Sequence, residues 1–194
     1  TLDENSQSQS TTTSTATAAG IAAGAGNNQI INTGAITTTV TSKAKAPDID
    51  LHLGDTAHAD ADVKAKATGT GISGEGSIVS QQMGTIAVAV SSQAEVSSIN
   101  VDLGDSAKAD ANTTAYATAT GIAGSENTDA MTSASPITVN ATSNVGGSLD
   151  LESSTDANIN ATIEAKSIAA GIDGDEGDDT ITVFSTISST ATAT

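Results

Sequence analysis

The sequence predicts an all-β chain, an elongated parallel β-solenoid built from repeats of about 50 residues, and three observations carry that expectation. The dipeptide Gly-Ile recurs at Gly20-Ile21, Gly71-Ile72, Gly121-Ile122 and Gly171-Ile172, at spacings of 51, 50 and 50. A second marker keeps the same beat, because Ile36, Ile86, Ile137 and Ile187 are separated by 50, 51 and 50. Between the markers the residues alternate with period 2, which places successive side chains on opposite faces of a strand. The alternative architecture is a set of antiparallel β-sandwich modules. A solenoid would stack residue i on i+25 or i+50, whereas a sandwich would pair the Ile86 and Ile99 segments as neighbours.

The elements follow in order. Ile86, Val88 and Val90 point one way with Ala87 and Ala89 the other, and Ile99, Val101 and Leu103 repeat the pattern against Asn100 and Asp102. These segments are offset by 13 residues, as are Ile36 and Ile49 in the first repeat, so the repeat reads as four strand-turn segments of 12 or 13 residues. Two coils per repeat then give eight coils at about 4.8 Å, a body roughly 38 Å long. The chain is one repeat array, with approximate repeats at 2–52, 53–102, 103–150 and an incomplete 151–194. Gly-Asp corners are expected at Leu53-Gly54-Asp55-Thr56 and Leu103-Gly104-Asp105-Ser106, where glycine supplies a positive φ and aspartate bonds the next amides, and Leu2-Asp3-Glu4-Asn5 sits at the same phase. In the third repeat Leu149-Asp150-Leu151-Glu152 leads into Gly171 with two extra residues.

After each corner comes an alanine ladder, Ala57, Ala59, Ala61, Ala65 and Ala67 in one repeat and Ala107, Ala109, Ala111, Ala115, Ala117 and Ala119 in the next. Alanine favours helices, but the intervening Thr, Asp, Asn, His and Val do not, and the period is 2 rather than 3.6. The ladder therefore predicts a strand over a narrow interior, in which backbone hydrogen bonding and close stacking carry much of the stability. A variable loop follows each Gly-Ile, and Pro47 and Pro136 fall at a strand boundary and a strand start, where a missing amide proton is tolerated.

Composition removes several functions. The chain has no cysteine, six lysines and no arginine against 23 carboxylates, for a net charge of −17. That charge repels nucleic acid and anionic lipid, and the guanidinium fork that grips phosphate is missing. Tyr116 and Phe184 are the only aromatics, so base-stacking and sugar-stacking platforms are lacking. No apolar run reaches the roughly 20 residues of a membrane span. The expected partner is therefore another copy of the chain, with no nucleic acid, no membrane insertion and no small-molecule substrate. Catalysis is not expected either. His52 and His58 meet Asp102 and Lys108 at the same phase of the next repeat and read as solvated surface residues. The pairs Asp48/Asp50 and Asp60/Asp62 share a strand face without the Arg and aromatics of a carbohydrate cleft.

One loop has metal-ligand character. Gly174-Asp175-Glu176-Gly177-Asp178-Asp179-Thr180-Ile181-Thr182 resembles the calcium-binding nonapeptide of haemolysin-type (RTX) β-rolls, with Gly174, Gly177, Asp179 and Ile181 in register and Asp175 in place of the second glycine. The resemblance implies calcium at Asp173, Asp175, Asp178 and Asp179; the plain alternative is a solvated acidic turn. No cofactor is otherwise expected. In the first repeat Asn27 and Asn28 stand where Asp178 and Asp179 do, and the third repeat retains Asp129. The wider pattern, Gly-Ile-Asp-Gly followed by Thr- and Ala-alternating strands such as Thr190-Ala191-Thr192-Ala193-Thr194, is similar to repeats of large bacterial extracellular surface proteins and autotransporter-like passengers. That similarity implies a scaffold outside the cell, at the cell surface. The expected function is an extracellular structural protein that forms or extends a β-rich filament, sheath or shaft by stacking repeats, with both ends of the array ready to continue. Two alternatives are a calcium-stiffened adhesin segment and an ice-binding threonine array built on Thr13, Thr15, Thr17, Thr37 and Thr39. The last is interrupted, since Ala87 and Ala89 take the phases of Thr37 and Thr39.

Overall fold

The computed structural model describes residues 5–53, 56–81, 84–103, 106–153 and 156–194. The expected corners at Gly54-Asp55 and Gly104-Asp105, and residues 2–4 at the same phase, lie outside them. The described strands are β1 (Asn5–Ala22), β2 (Asn28–Asn32), β3 (Ile36–Ala46), β4 (Ile49–Leu53), β5 (Thr56–Ser73), β6 (Gly76–Ser80), β7 (Ile86–Leu103), β8 (Ser106–Ala123), β9 (Ala130–Ser133), β10 (Ile137–Ser153), β11 (Asp156–Asp173), β12 (Thr180–Val183) and β13 (Ile187–Ala193). They form a parallel β-solenoid of three sheets, β1-β5-β8-β11, β3-β7-β10-β13 with β4 also on β7, and a short β2-β6-β9-β12 that closes one side. All described ladders are parallel, which excludes the sandwich.

The register corrects the coil count. Ala57 pairs with Ala107, Ala107 with Ala157, and Ile36 with Ile86, so one repeat is one coil, and among the described residues nothing stacks at 25 residues. The body is four coils tall, about half the expected length at ~4.8 Å per coil. The 13-residue offset has a different cause. Ile86 and Ile99 lie on the same strand, and the inward phase switches from even to odd numbers across Ser97-Ser98, both half-buried, so no corner is needed there. In the first coil Pro47 and Asp48 occupy that bend and interrupt the strand, because proline has no amide proton to give the ladder. In the third coil the bend loses a residue: Gly147 pairs with Val96 and Leu149 with Ile99. Ser153, rather than Leu151, is then the partner of Leu103, so the expected two-residue insertion before Gly171 is absent and the phase of Leu103 returns at 153.

The two long sheets face each other across a thin interior. At one side the buried side chains are nearly all alanine, with Ala57, Ala59, Ala61, Ala107, Ala109 and Ala111 set against Ala44, Ala46, Ala94 and Val96. At the other, beside the short sheet, lies a bulkier cluster that includes Ile72, Ile78, Ile86, Ile122, Met131 and Ile137. Between them runs a row of buried serines, Ser42, Ser92 and Ser143, stacked by register. Each donates across the interior to a carbonyl of the opposite sheet, to Ser14 at 2.9 Å, Ala65 at 2.8 Å and Lys166 at 2.6 Å. Small inward residues let the backbones approach, and the hydroxyls exploit that approach.

The two 50-residue markers are halves of one contact. A Cβ added to Gly71 would sit 2.5 Å from Cγ2 of Ile86 and 2.5 Å from the carbonyl oxygen of Gly121. Gly121 stands in the same relation to Ile137, Gly20 to Ile36 and Gly171 to Ile187. Glycine is required there because the isoleucine of the facing sheet and the backbone of the next coil fill the space a side chain would need. The isoleucine after it, Ile72 or Ile122, is fully buried and turns the chain toward the short sheet.

Candidate functional site

The acidic loop joins β11 to β12. Gly177 has φ 134° and Asp175 the left-handed φ of 65°, so the chain reverses tightly between Asp173 and Thr180. Asp173 Oδ1 accepts a bond from the Asp175 amide at 3.3 Å. Asp179 is held differently: its Oδ1 accepts the backbone N–H of Asp129, one coil below, at 2.8 Å, while Oδ2 packs on Gly174. Asp129 repeats this one level down. It is 1% exposed and accepts the amides of Gly76 at 2.5 Å and Ser125 at 2.6 Å, with its Oδ2 against Gly124. In the first coil the phase is filled by Asn28, whose Nδ2 donates to the carbonyls of Gly24 and Gly26 at 2.9 Å each. The Gly174 to Asp179 spacing is thus the spacing of a staple between loops, with the glycine making room for the carboxylate.

Asp173, Asp175 and Asp178 are exposed, and Asp179 is half-buried. The four do not gather: among the described residues, the one group of three His or carboxylate side chains with ligand atoms within 4.8 Å of each other is His58, Asp60 and Asp110. Calcium takes six to eight oxygens; in the loop as folded Asp173 and Asp179 each accept a backbone amide, and no three of its carboxylates converge.

The charged group that does converge lies on the outer face of β5 and β8. His58 and Asp60 project from the same face of β5 at i and i+2, and Asp110 of β8 is the register partner of Asp60. His58 Nε2 is 2.9 Å from Asp60 Oδ1 and 3.2 Å from Asp110 Oδ2, and Lys108 Nζ donates to the same Asp110 oxygen at 2.6 Å. The hydrogen bond from Lys108 holds the Asp110 carboxyl below its ordinary range, His58 adds to that, and desolvation opposes it. The same bond raises the Lys108 ammonium above its usual value. His58 is therefore half-buried between two carboxylates rather than free in solvent, and the stack of Asp60 on Asp110 is visible in sequence only once the repeat is known to be one coil. Farther along this face Tyr116 donates its hydroxyl to Glu164 at 2.6 Å, and that bond raises the phenol above its ordinary value.

The end of the stack carries a third feature. At the level of β11 the described residues of the facing sheet run only from Ile187 to Ala193, so Ile159 is 49% and Ile163 65% exposed. Phe184, 71% exposed, sits between β12 and β13 at the same end. β11, β12 and β13 each have a described strand on one side, as do β1 and β2 at the opposite end. In comparisons with known proteins, no family model matches the chain, and neither does any curated protein or any solved structure.

Proposed function

We propose that this chain is a structural segment of an extracellular β-solenoid shaft or filament, extended by coils that stack in register on its ends. The observation that carries the reading is the glycine–isoleucine lock, present at every level including the first and fourth coils. A further coil with the same lock would meet Gly171, Ile172 and Ile187 as the third coil already does, and would cover Ile159 and Ile163. Among the described residues β1 and β2 at one end, and β11, β12 and β13 at the other, pair on one side only, and an edge of that kind recruits a further strand unless blocked. The similarity of the Thr- and Ala-alternating strands to bacterial surface repeats supports the location outside the cell.

Other readings have less behind them. A calcium-stiffened adhesin would need the acidic loop to gather ligands that now lie apart. An ice-binding face would need an unbroken threonine array, and the register sets Thr37 and Thr39 on Ala87 and Ala89, then on Thr138 and Asn140. Self-stacking is tested by light scattering and electron microscopy of the purified chain across a concentration series. Polymers of constant width are expected, and the double variant Ile159→Lys, Ile163→Lys should be monomeric with unchanged circular dichroism, because both side chains are exposed. A wild-type chain that stays monomeric throughout would overturn stacking between copies.

A further inference from the structure

We propose that His58, Asp60 and Asp110 form a binding site for one divalent metal ion of the zinc class on the outer face of the solenoid. The first argument is hydrogen-bond stoichiometry. His58 Nε2 faces two carboxylate oxygens, at 2.9 and 3.2 Å, and a ring nitrogen carries at most one proton in either charge state. One hydrogen cannot satisfy both acceptors well; a cation at their common centre would satisfy all three atoms. The second argument is an oxygen without a partner. Asp110 Oδ1 is closed to water and has no hydrogen-bond partner, while Oδ2 serves both His58 and Lys108.

Geometry and chemistry then select the ion. Zinc binds imidazole nitrogen and carboxylate oxygen at about 2.0–2.2 Å, which places neighbouring ligand atoms roughly 3.0–3.5 Å apart. The separations of Nε2 from the two oxygens, 2.9 and 3.2 Å, need to open by only a few tenths of an ångström, all three ligand atoms lie within 4.8 Å of one another, and the ligands sit on two adjacent strands of the ladder rather than on a loop. One imidazole with two carboxylates suits zinc, nickel or copper better than calcium or magnesium, which prefer all-oxygen shells. Gln9 and Asn160 flank Asp60 and Asp110 in the same row and can supply an amide oxygen, with water completing the shell. The ammonium of Lys108 stands in for the ion in the metal-free chain: it neutralises Asp110, and its half-exposed side chain is free to swing into solvent when a metal displaces it.

The test is calorimetric titration of the metal-free protein with zinc, and with cobalt for its absorption spectrum, against calcium and magnesium. One equivalent of zinc should bind, with a nitrogen-containing cobalt spectrum. His58→Gln and Asp110→Asn should each weaken zinc by about tenfold or more, and Lys108→Met should tighten it. Asp179→Asn, in the acidic loop, should leave zinc binding unchanged. All these substitutions are on outer faces or loops, and circular dichroism checks that the ladder persists. Zinc binding that is equal in wild type and His58→Gln, that follows Asp179 instead, or that fails to saturate at millimolar metal would overturn the site and leave a hydrogen-bonded bridge. A Lys108→Met protein that binds zinc more weakly would overturn the displacement step.

Discussion

The narrow interior can be tested by exchanging volume between its two walls. In the second coil Gly69 of β5 faces Val90 of β7, and a Cβ added to Gly69 would lie 2.6 Å from Val90 Cγ2 and 3.1 Å from Val40 Cγ2. One coil on, the register-equivalent positions are Ala119 and Ala141, so the protein already holds the redistributed version of the same pair. Gly69→Ala alone forces a methyl into occupied space and should cost roughly 1–3 kcal/mol, offset by about 0.5–1 kcal/mol from the lost glycine flexibility. Val90→Ala alone removes two methyl groups from a side chain that is 3% exposed, a loss of about 2 kcal/mol with the cavity included. The double variant recreates the third-coil pairing, and its new methyl fills part of the cavity. It should be no less stable than Val90→Ala, which makes the two changes compensate by roughly 1–3 kcal/mol in a double-mutant cycle. Urea unfolding followed by far-ultraviolet circular dichroism gives the four stabilities. Additivity within about 0.5 kcal/mol would refute the claim that the two walls touch at this pair.

Asp129→Ala should destabilise the chain by roughly 1–3 kcal/mol, since it removes the buried acceptor of the half-buried Gly76 and Ser125 amides, and Asp129→Asn should cost less because it keeps one acceptor; thermal unfolding of the two variants decides. Tyr116 is the only tyrosine, so ultraviolet absorbance should show a phenol that ionises above the usual tyrosine range, and Glu164→Gln should bring that midpoint down. Because the folded-state value of Asp110 is lowered, its contribution to stability is present above the ordinary carboxylate range and lost as pH falls through the lowered value. Lys108, raised, contributes below the ordinary lysine range and loses that contribution as pH rises through its raised value. Asp110→Asn should therefore flatten both limbs of the stability–pH profile relative to wild type.

The inward face of the repeat was the part legible in the sequence, because there the register enforces likeness. Gly71 cannot change without displacing Ile86, so the two markers keep time together and reveal the period. The number of coils per period was not legible. Ile86 and Ile99 look like corresponding positions of two strands, yet they belong to one strand whose inward phase flips at Ser97-Ser98, and alternation alone does not distinguish a phase flip from a corner. Ser42, Ser92 and Ser143 are spaced by 50 and 51 and could have been found by the same count. They escape a hydrophobic pattern because a hydroxyl in the core is useful only when the opposite backbone is close. The acidic loop shows the reverse. Its glycine and aspartate spacing was visible, but the same spacing serves a staple between loops, and only the position of the Asp129 amide separates the two uses.

The outer face is less periodic than the inner for an electrostatic reason. In a parallel, in-register stack every residue meets its own equivalent in the next coil, so a repeated charge would build a column of like charges, each pair destabilising. On the face of β1-β5-β8-β11 such columns are broken at nearly every phase: Asp62 is followed by Asn112, Lys66 by Tyr116, and Lys64 by Thr114. The exception is Asp60 on Asp110, among the described residues the one pair of carboxylates stacked directly on that face, and it is also where His58 and Lys108 converge. A chain of net charge −17 that avoids stacked carboxylates elsewhere on this face keeps one pair and surrounds it with an imidazole and an ammonium. The lysine lowers the cost of the pair without a metal; it does not explain why the nitrogen of His58 faces two acceptors with a single proton. Binding a divalent ion accounts for both features with the same three side chains, and replacing His58 removes the ligand while leaving Lys108 to hold Asp110, which is why that substitution separates the two roles.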